Sequence, residues 1–213
     1  MARRRSAEET RRAEIAEAAL RLILKFGFHS TTLDQVAAEA GVSKGLVSYY
    51  FSKKEELFLA VLERMVDRLS QDLERCYRTD VSARERLRLN FMNLFGNEQR
   101  TRQYYTVVID FLGEALREKT VRAYTHTIYD TVLTYIEWTV TDGIRAGEFA
   151  EVDAKETASL VVACMEGLIL QWLFSDDEMD LDGAYRICES LADRLLEDSR
   201  SGRGDATRVV EIK

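Results

Sequence analysis

Between Leu33 and Phe51 the sequence runs L-D-Q-V-A-A-E-A-G-V-S-K-G-L-V-S-Y-Y-F, and two kinds of residue are interleaved in it. Val36, Val42, Val47 and Tyr50 supply an apolar inner face. Ala37 is small enough for two helices to cross closely, and Gly41 sits at the turn between them, where a positive φ is expected. Ser43, Lys44, Gly45, Ser48 and Tyr49 are left to face outward. Hydroxyls, an ammonium and a phenol on one short helix are groups that bond phosphate oxygens and base edges. None of these outward positions is Asp or Glu, although the chain carries 37 acidic residues against 30 Lys and Arg. The pattern predicts a helix-turn-helix that reads DNA. Ordinary helix-hairpin packing would leave the missing acids unexplained.

Other chemistry finds little footing. There is no phosphate-binding glycine loop, nucleophile elbow, HExxH or evident carboxylate pair, so no catalytic residue is assigned and no enzyme activity is expected. His29 and His126 lack companions at metal-ligand spacing, and no cofactor is expected. Cys76, Cys164 and Cys188 are odd in number and far apart, which fits a reduced compartment. With no apolar leader and no run near ~18 consecutive apolar residues, the reading is a cytoplasmic protein without a membrane partner.

Glu166 stands inside an otherwise apolar stretch, where a carboxylate is costly unless paired. It is expected to meet a ligand cation, a tyrosine hydroxyl or an arginine across a dimer interface. Aromatic residues crowd the middle of the chain: Phe91, Phe95, Tyr104, Tyr105, Phe111, Tyr124, Tyr129, Tyr135 and Trp138. An apolar cavity between helices with a few polar tips is the usual form of a small-molecule site. Phe95, Tyr105, Phe111, Tyr129, Trp138 and Glu166 are its candidate lining, for a lipophilic or cationic effector. Each aromatic could equally be core.

The elements that must position these groups are helices. The sequence has 213 residues, 46% hydrophobic and no proline, which favours long helices packed around a real core. Apolar residues from Ala7 to Phe26 recur at helical spacing, and Gly27 stops them. Short helices follow over Leu33 to Ala40 and up to Tyr50, the second capped by Ser43. Ser52 is read as the cap of a long helix to about Cys76, which leaves the N-terminal unit without a flexible linker. Further helices are expected over Ser82 to Phe95, Thr101 to Leu116, Thr120 to Ala146, Ala154 to Phe174 and Gly183 to Glu197. The fold class is therefore all-α. A three-helix N-terminal domain, residues 1–52, is joined by the long helix to a helical bundle, 53–198, with a disordered tail over 199–213.

Charge follows the same division. The net charge is −7, yet residues 1–60 carry 10 Lys and Arg against 8 Asp and Glu, and the remainder 20 against 29. Arg3, Arg4, Arg5, Arg11 and Arg12 form a basic arm, and Lys44, Lys53 and Lys54 flank the helix-turn-helix. A basic head on an acidic body directs DNA to the head.

The run T-T-L-D-Q-V-A-A-E-A-G-V-S-K-G-L-V-S-Y-Y-F-S-K-K-E-E-L-F, Thr31 to Phe58, resembles the DNA-binding domain of the tetracycline-repressor (TetR) family. The resemblance implies a ligand-released repressor, an Ω-shaped homodimer on double-stranded operator DNA with the helix Lys44 to Tyr50 in the major groove. It further implies that Thr32 and Lys54 bond phosphates and that Tyr49 and Tyr50 touch the backbone or base methyls. Ser48 departs from the tyrosine of many members and is similar to the choline-responsive branch. G-I-R-A-G-E-F-A, Gly143 to Ala150, with the apolar segment after it, resembles the dimerising half of such regulators. There Leu160, Met165, Leu168, Ile169 and Trp172 are candidates for the interface, or for the protomer's own core. A helical protein-interaction module and an activator using the same motif are the alternatives.

Overall fold

The computed structural model describes residues 2–175 and 179–197, with side chains from Glu8 onward; the tail at 199–213, the side chains of Arg3 to Arg5 and residues 176–178 of the acidic loop lie outside the described residues. The described chain is helical throughout, in the order α1 (Ala2–Phe26), α2 (Leu33–Glu39), α3 (Lys44–Tyr50), α4 (Lys54–Arg78), α5 (Ala83–Phe95), α6 (Glu98–Ala115), α7 (Lys119–Arg145), α8 (Ala154–Phe174) and α9 (Leu181–Leu196).

Local chemistry sets most of these boundaries. Ser43, Ser82 and Asp153 each accept a bond from a backbone N–H of the following first turn, at 3.2, 3.1 and 2.9 Å. Gly41 has φ +65°, the left-handed region, and nothing stands within 4 Å of where a Cβ would be. Backbone conformation rather than crowding demands glycine there.

Four helix starts differ from the sequence reading. The first helix begins at Ala2 rather than Ala7. Ser52 does not cap α4: its N–H and its hydroxyl both donate to the Glu56 carboxylate, at 2.8 and 2.9 Å, so Glu56 reaches back to Ser52 and Lys53 takes the cap position. Asn97 accepts from the Arg100 N–H at 2.8 Å and starts α6 three residues before Thr101. Asp180 caps α9 and starts it at Leu181 rather than Gly183.

Helix α7 is rich in threonine, a poor helix former. Thr125, Thr127, Thr131 and Thr139 each donate a hydroxyl bond to the carbonyl four residues back, at 2.8 to 3.1 Å, which satisfies the hydroxyls within the helix.

Two apolar cores result. The first gathers Ile15, Leu20 and Ile23 of α1, Val36 and Val47 of the short helices, Phe51, and Leu57 to Met65 of α4. It also takes Val107, Phe111 and Ala115 from α6 and Val121 from α7. The second joins α5, the later half of α7, α8 and α9 around Phe91, Ile136, Val161 and Ile169. A boundary at residue 52 therefore does not divide the packing, because helices of the body complete the core of the head. Helix α8 is long and apolar enough, by length and composition alone, to cross a membrane. Its place in the second core accounts for that composition.

Phe91 is 1% exposed at the centre of the second core. Phe91→Ala is expected to lower the unfolding free energy by about 3–5 kcal/mol, read as a shifted midpoint in urea with an unchanged slope.

Candidate nucleic-acid interface and buried cavity

The groups expected to touch DNA converge on one surface of the head. Ser43, Lys44, Gly45 and Ser48 are exposed along α3, and Tyr49 is 72% exposed. Tyr50 is half-buried with its ring edge-on to that of Tyr49, 5.1 Å between centroids. It braces Tyr49 from the inside. Lys44 Nζ lies 2.9 Å from Asp34 on α2, an exposed pair that ties the two short helices together and contributes at most about 1 kcal/mol. Phosphate could compete for that ammonium.

Thr32 closes a capping box. Its hydroxyl oxygen accepts from the Gln35 N–H at 3.3 Å, while its own N–H donates to Gln35 Oε1 at 2.8 Å. The first turn of α2 is thereby held at the surface. Lys54 begins α4 and is more constrained than a free lysine: Nζ donates to the His29 carbonyl at 3.1 Å and lies 4.4 Å from the centroid of the Phe28 ring. Burial lowers its pKa, against the opposing pull of Glu55. An ammonium has three donors, so Lys54 can keep its hold on the loop and still bond an anion.

A cavity of about 300 Å³ lies between the two cores, walled by α1, α4, α5, α6, α7 and α8. Of the six residues expected to line it, Tyr105, Phe111, Tyr129 and Glu166 do. The other two are corrected by their surroundings. Phe95 is buried toward α9, edge-on to Tyr185 at 6.1 Å, and Trp138 is 46% exposed on the outer side of α7 beside Tyr77 and Tyr135. Sequence reasoning did not select Tyr104, Asn90 or Arg68, which also line the cavity. In α5, where charged and polar residues are frequent, Asn90 carried no signal that set it apart.

Glu166 accepts a hydrogen bond from the Tyr129 hydroxyl at 3.0 Å. Burial raises the pKa of the carboxyl, and the Tyr129 bond only partly offsets that. Tyr104 and Tyr129 are pushed up to about 12, first by burial and then by the charge of Glu166, and Tyr105 moves in the same direction for the same reasons. The phenols therefore remain neutral at physiological pH. Asn90, 8% exposed, donates to the Arg86 carbonyl at 3.0 Å, and its Oδ1 is buried without a hydrogen-bond partner. The cavity thus offers one half-buried acid without a basic partner among the described ion pairs, and aromatic faces.

The cavity wall is joined directly to the head. Phe111 stacks on Phe58 of α4 at 4.3 Å, and Phe58 packs on Phe28 at 3.7 Å, under Lys54. Beside them Asp110 accepts a bond from the Phe28 N–H at 3.1 Å.

Met165, Leu168, Ile169 and Trp172 are buried within the protomer's own second core, the second of the two places expected for them. They lie on the face of α8 turned toward the protomer. Leu160, 47% exposed, is on the opposite face with Phe174, and Ile187, 48% exposed, and Leu191 continue the apolar surface along α9. Gly167 has open space beyond it on α8.

Comparison with known proteins agrees with this arrangement. Residues 15–61 match the family described as bacterial regulatory proteins, tetR family, and residues 83–197 match the one described as BetI-type transcriptional repressor, C-terminal. The transcriptional activator FasR of Mycolicibacterium smegmatis is 30% identical over 178 residues, covering 83% of this chain and 78% of its own. The transcriptional regulator BetI of Rhizobium meliloti is 25% identical over 206 residues, 95% of this chain and 97% of its own. A transcriptional regulator from Saccharomonospora viridis, solved in complex with choline, superposes with a TM-score of 0.81 at 26% identity, over 89% of this chain and 99% of that one. The helix-turn-helix, the helical body and these matches together place the chain in the TetR family of DNA-binding transcriptional regulators, with a C-terminal domain of the BetI type.

Proposed function

We propose that the protein is a homodimeric, cytoplasmic repressor that leaves its operator when a small organic cation enters the cavity. The observation that carries this reading is Glu166, a half-buried carboxyl in a cavity lined largely by aromatic and apolar side chains, bonded to a neutral tyrosine hydroxyl and to no basic residue among its described hydrogen bonds. Choline bound to the relative from Saccharomonospora viridis supports the same chemistry.

At the DNA, Lys44 to Tyr50 would lie in the major groove, with Ser43, Lys44, Gly45, Ser48 and Tyr49 toward bases and phosphates and Tyr50 behind them. Thr32 and Lys54 would clamp phosphates at either side. Two copies are needed to span two successive grooves. The apolar faces of α8 and α9, with Leu160, Ile187 and Leu191 exposed, would pair as a four-helix interface.

Release would travel through the aromatic stack. A ligand pressing on α6 at Tyr104 to Phe111 would displace Phe58 and Phe28, tilt α4 and change the spacing of the two reading helices. This works only because the ligand binds the two states unequally. A second reading, activation from the same contacts, is favoured by the name of the relative FasR. A reporter behind the protein's own upstream DNA separates them: deleting the gene raises expression if it represses and lowers it if it activates.

Lys54→Ala is expected to weaken binding to that DNA in a mobility-shift titration and to reduce the salt slope of the affinity by about one. Unchanged affinity and slope would remove Lys54 from the interface. Ile187→Glu combined with Leu191→Glu should leave helicity intact, because both positions are exposed, while light scattering reports monomers and operator binding is lost. A variant that stays dimeric would sink the α8 and α9 assignment. Glu166 must be ionised to hold a cation, and its free-state pKa is raised, so binding releases a proton and affinity for choline should rise with pH through that pKa. Glu166→Gln should flatten the profile and weaken binding, and a wild-type profile in the variant would refute the role.

A further inference from the structure

Both cores contribute apolar walls to the cavity, and its unpaired acid comes from the side of the second. Glu166 of α8, Tyr105 of α6 and Val162 belong to the side of the second core; Leu20, Met65 and Phe111 belong to the first. Between Tyr105 and Leu112 the α6 wall runs about 10 Å toward the head, at 1.5 Å per residue. Leu20 and Leu24 of α1 flank that head-ward end, close to where Gly27 and Phe28 meet Asp110.

The charges at the rim are already matched. Arg68 bonds Glu17 at 2.6 Å, and Arg100 faces Asp72 at 3.6 Å. Glu166 is therefore the lining acid that lacks a basic partner among the described ion pairs. A compact cation would satisfy it and leave the apolar length empty. An apolar length of that kind gains most from a hydrocarbon chain.

We propose that the effector is an amphiphilic cation, an ammonium group seated at Glu166 and Tyr129 carrying an alkyl chain that lies along α6 toward Leu24 and Leu112. This rests on the reading of Glu166 as a cation site and adds the second half of the ligand. The chain would end against Phe111, the first ring of the stack that leads to Lys54. Chain length, and not charge alone, would then decide how far α6 is displaced.

Titration calorimetry on the full-length protein with choline, butyltrimethylammonium, octyltrimethylammonium and dodecyltrimethylammonium tests it, with octanoate as the anionic match. Affinity is expected to tighten by up to about fourfold for each methylene buried, from butyl to octyl, and then to level off once the chain outruns the cavity. The same order should appear in operator release. Leu24→Trp, which fills the head-ward end, should remove the advantage of octyl over choline while choline binding persists. Choline binding as tightly as octyltrimethylammonium would overturn the chain and leave the cation site standing. Octanoate binding as well as octyltrimethylammonium, with Glu166→Gln indifferent to both, would overturn the cation site itself. Absence of binding by all four cations would overturn both.

Discussion

Three rings in contact, Phe111, Phe58 and Phe28, hold the DNA-reading head against the body, and the geometry on either side depends on them. Each comes from a different part of the chain: α6, α4 and the turn after α1. Because a packed interior cannot deform continuously, a displacement at one ring must be answered at the next. Lys54 rests on the last ring, so its ammonium is positioned by the same packing that closes the cavity. The hydrogen bond from the Phe28 N–H to Asp110 ties the backbone of that turn to α6 as well.

Much of this was legible in the sequence where a single element contains its own signal. The helix-turn-helix could be read from Ala37, Gly41 and Val47 because the crossing geometry admits few residue types at those positions. Ser43 and Asp153 announced their helices through local caps. Ser52 misled because two neighbours could satisfy the same turn, and Glu56 took both bonds of the serine. Its carboxyl is held below the ordinary value, chiefly by the Ser52 hydroxyl.

Rotation of a helix about its own axis was the main thing left hidden. In α8 both faces are apolar, so Leu160 and Met165 look equivalent in the sequence, although one is exposed and the other lies in the core. Phe95 and Phe111 are likewise indistinguishable by type and differ only in which neighbour they meet. A lone carboxyl breaks that symmetry. Glu166 is inexpensive only where it is paired, so a tyrosine hydroxyl was among the few partners open to it, whereas the aromatics had no such restriction.

The first core draws Val107, Phe111, Ala115 and Val121 from beyond the head. A head cut away at residue 52 would expose those partners' sites to water and lose part of its interior. Heads and bodies of this kind are therefore not freely interchangeable cartridges. Recombination that grafts a new sensor onto this reader must carry over matching side chains from α6 and α7, which restricts the evolutionary exchange of sensing and reading to bodies already shaped to fit.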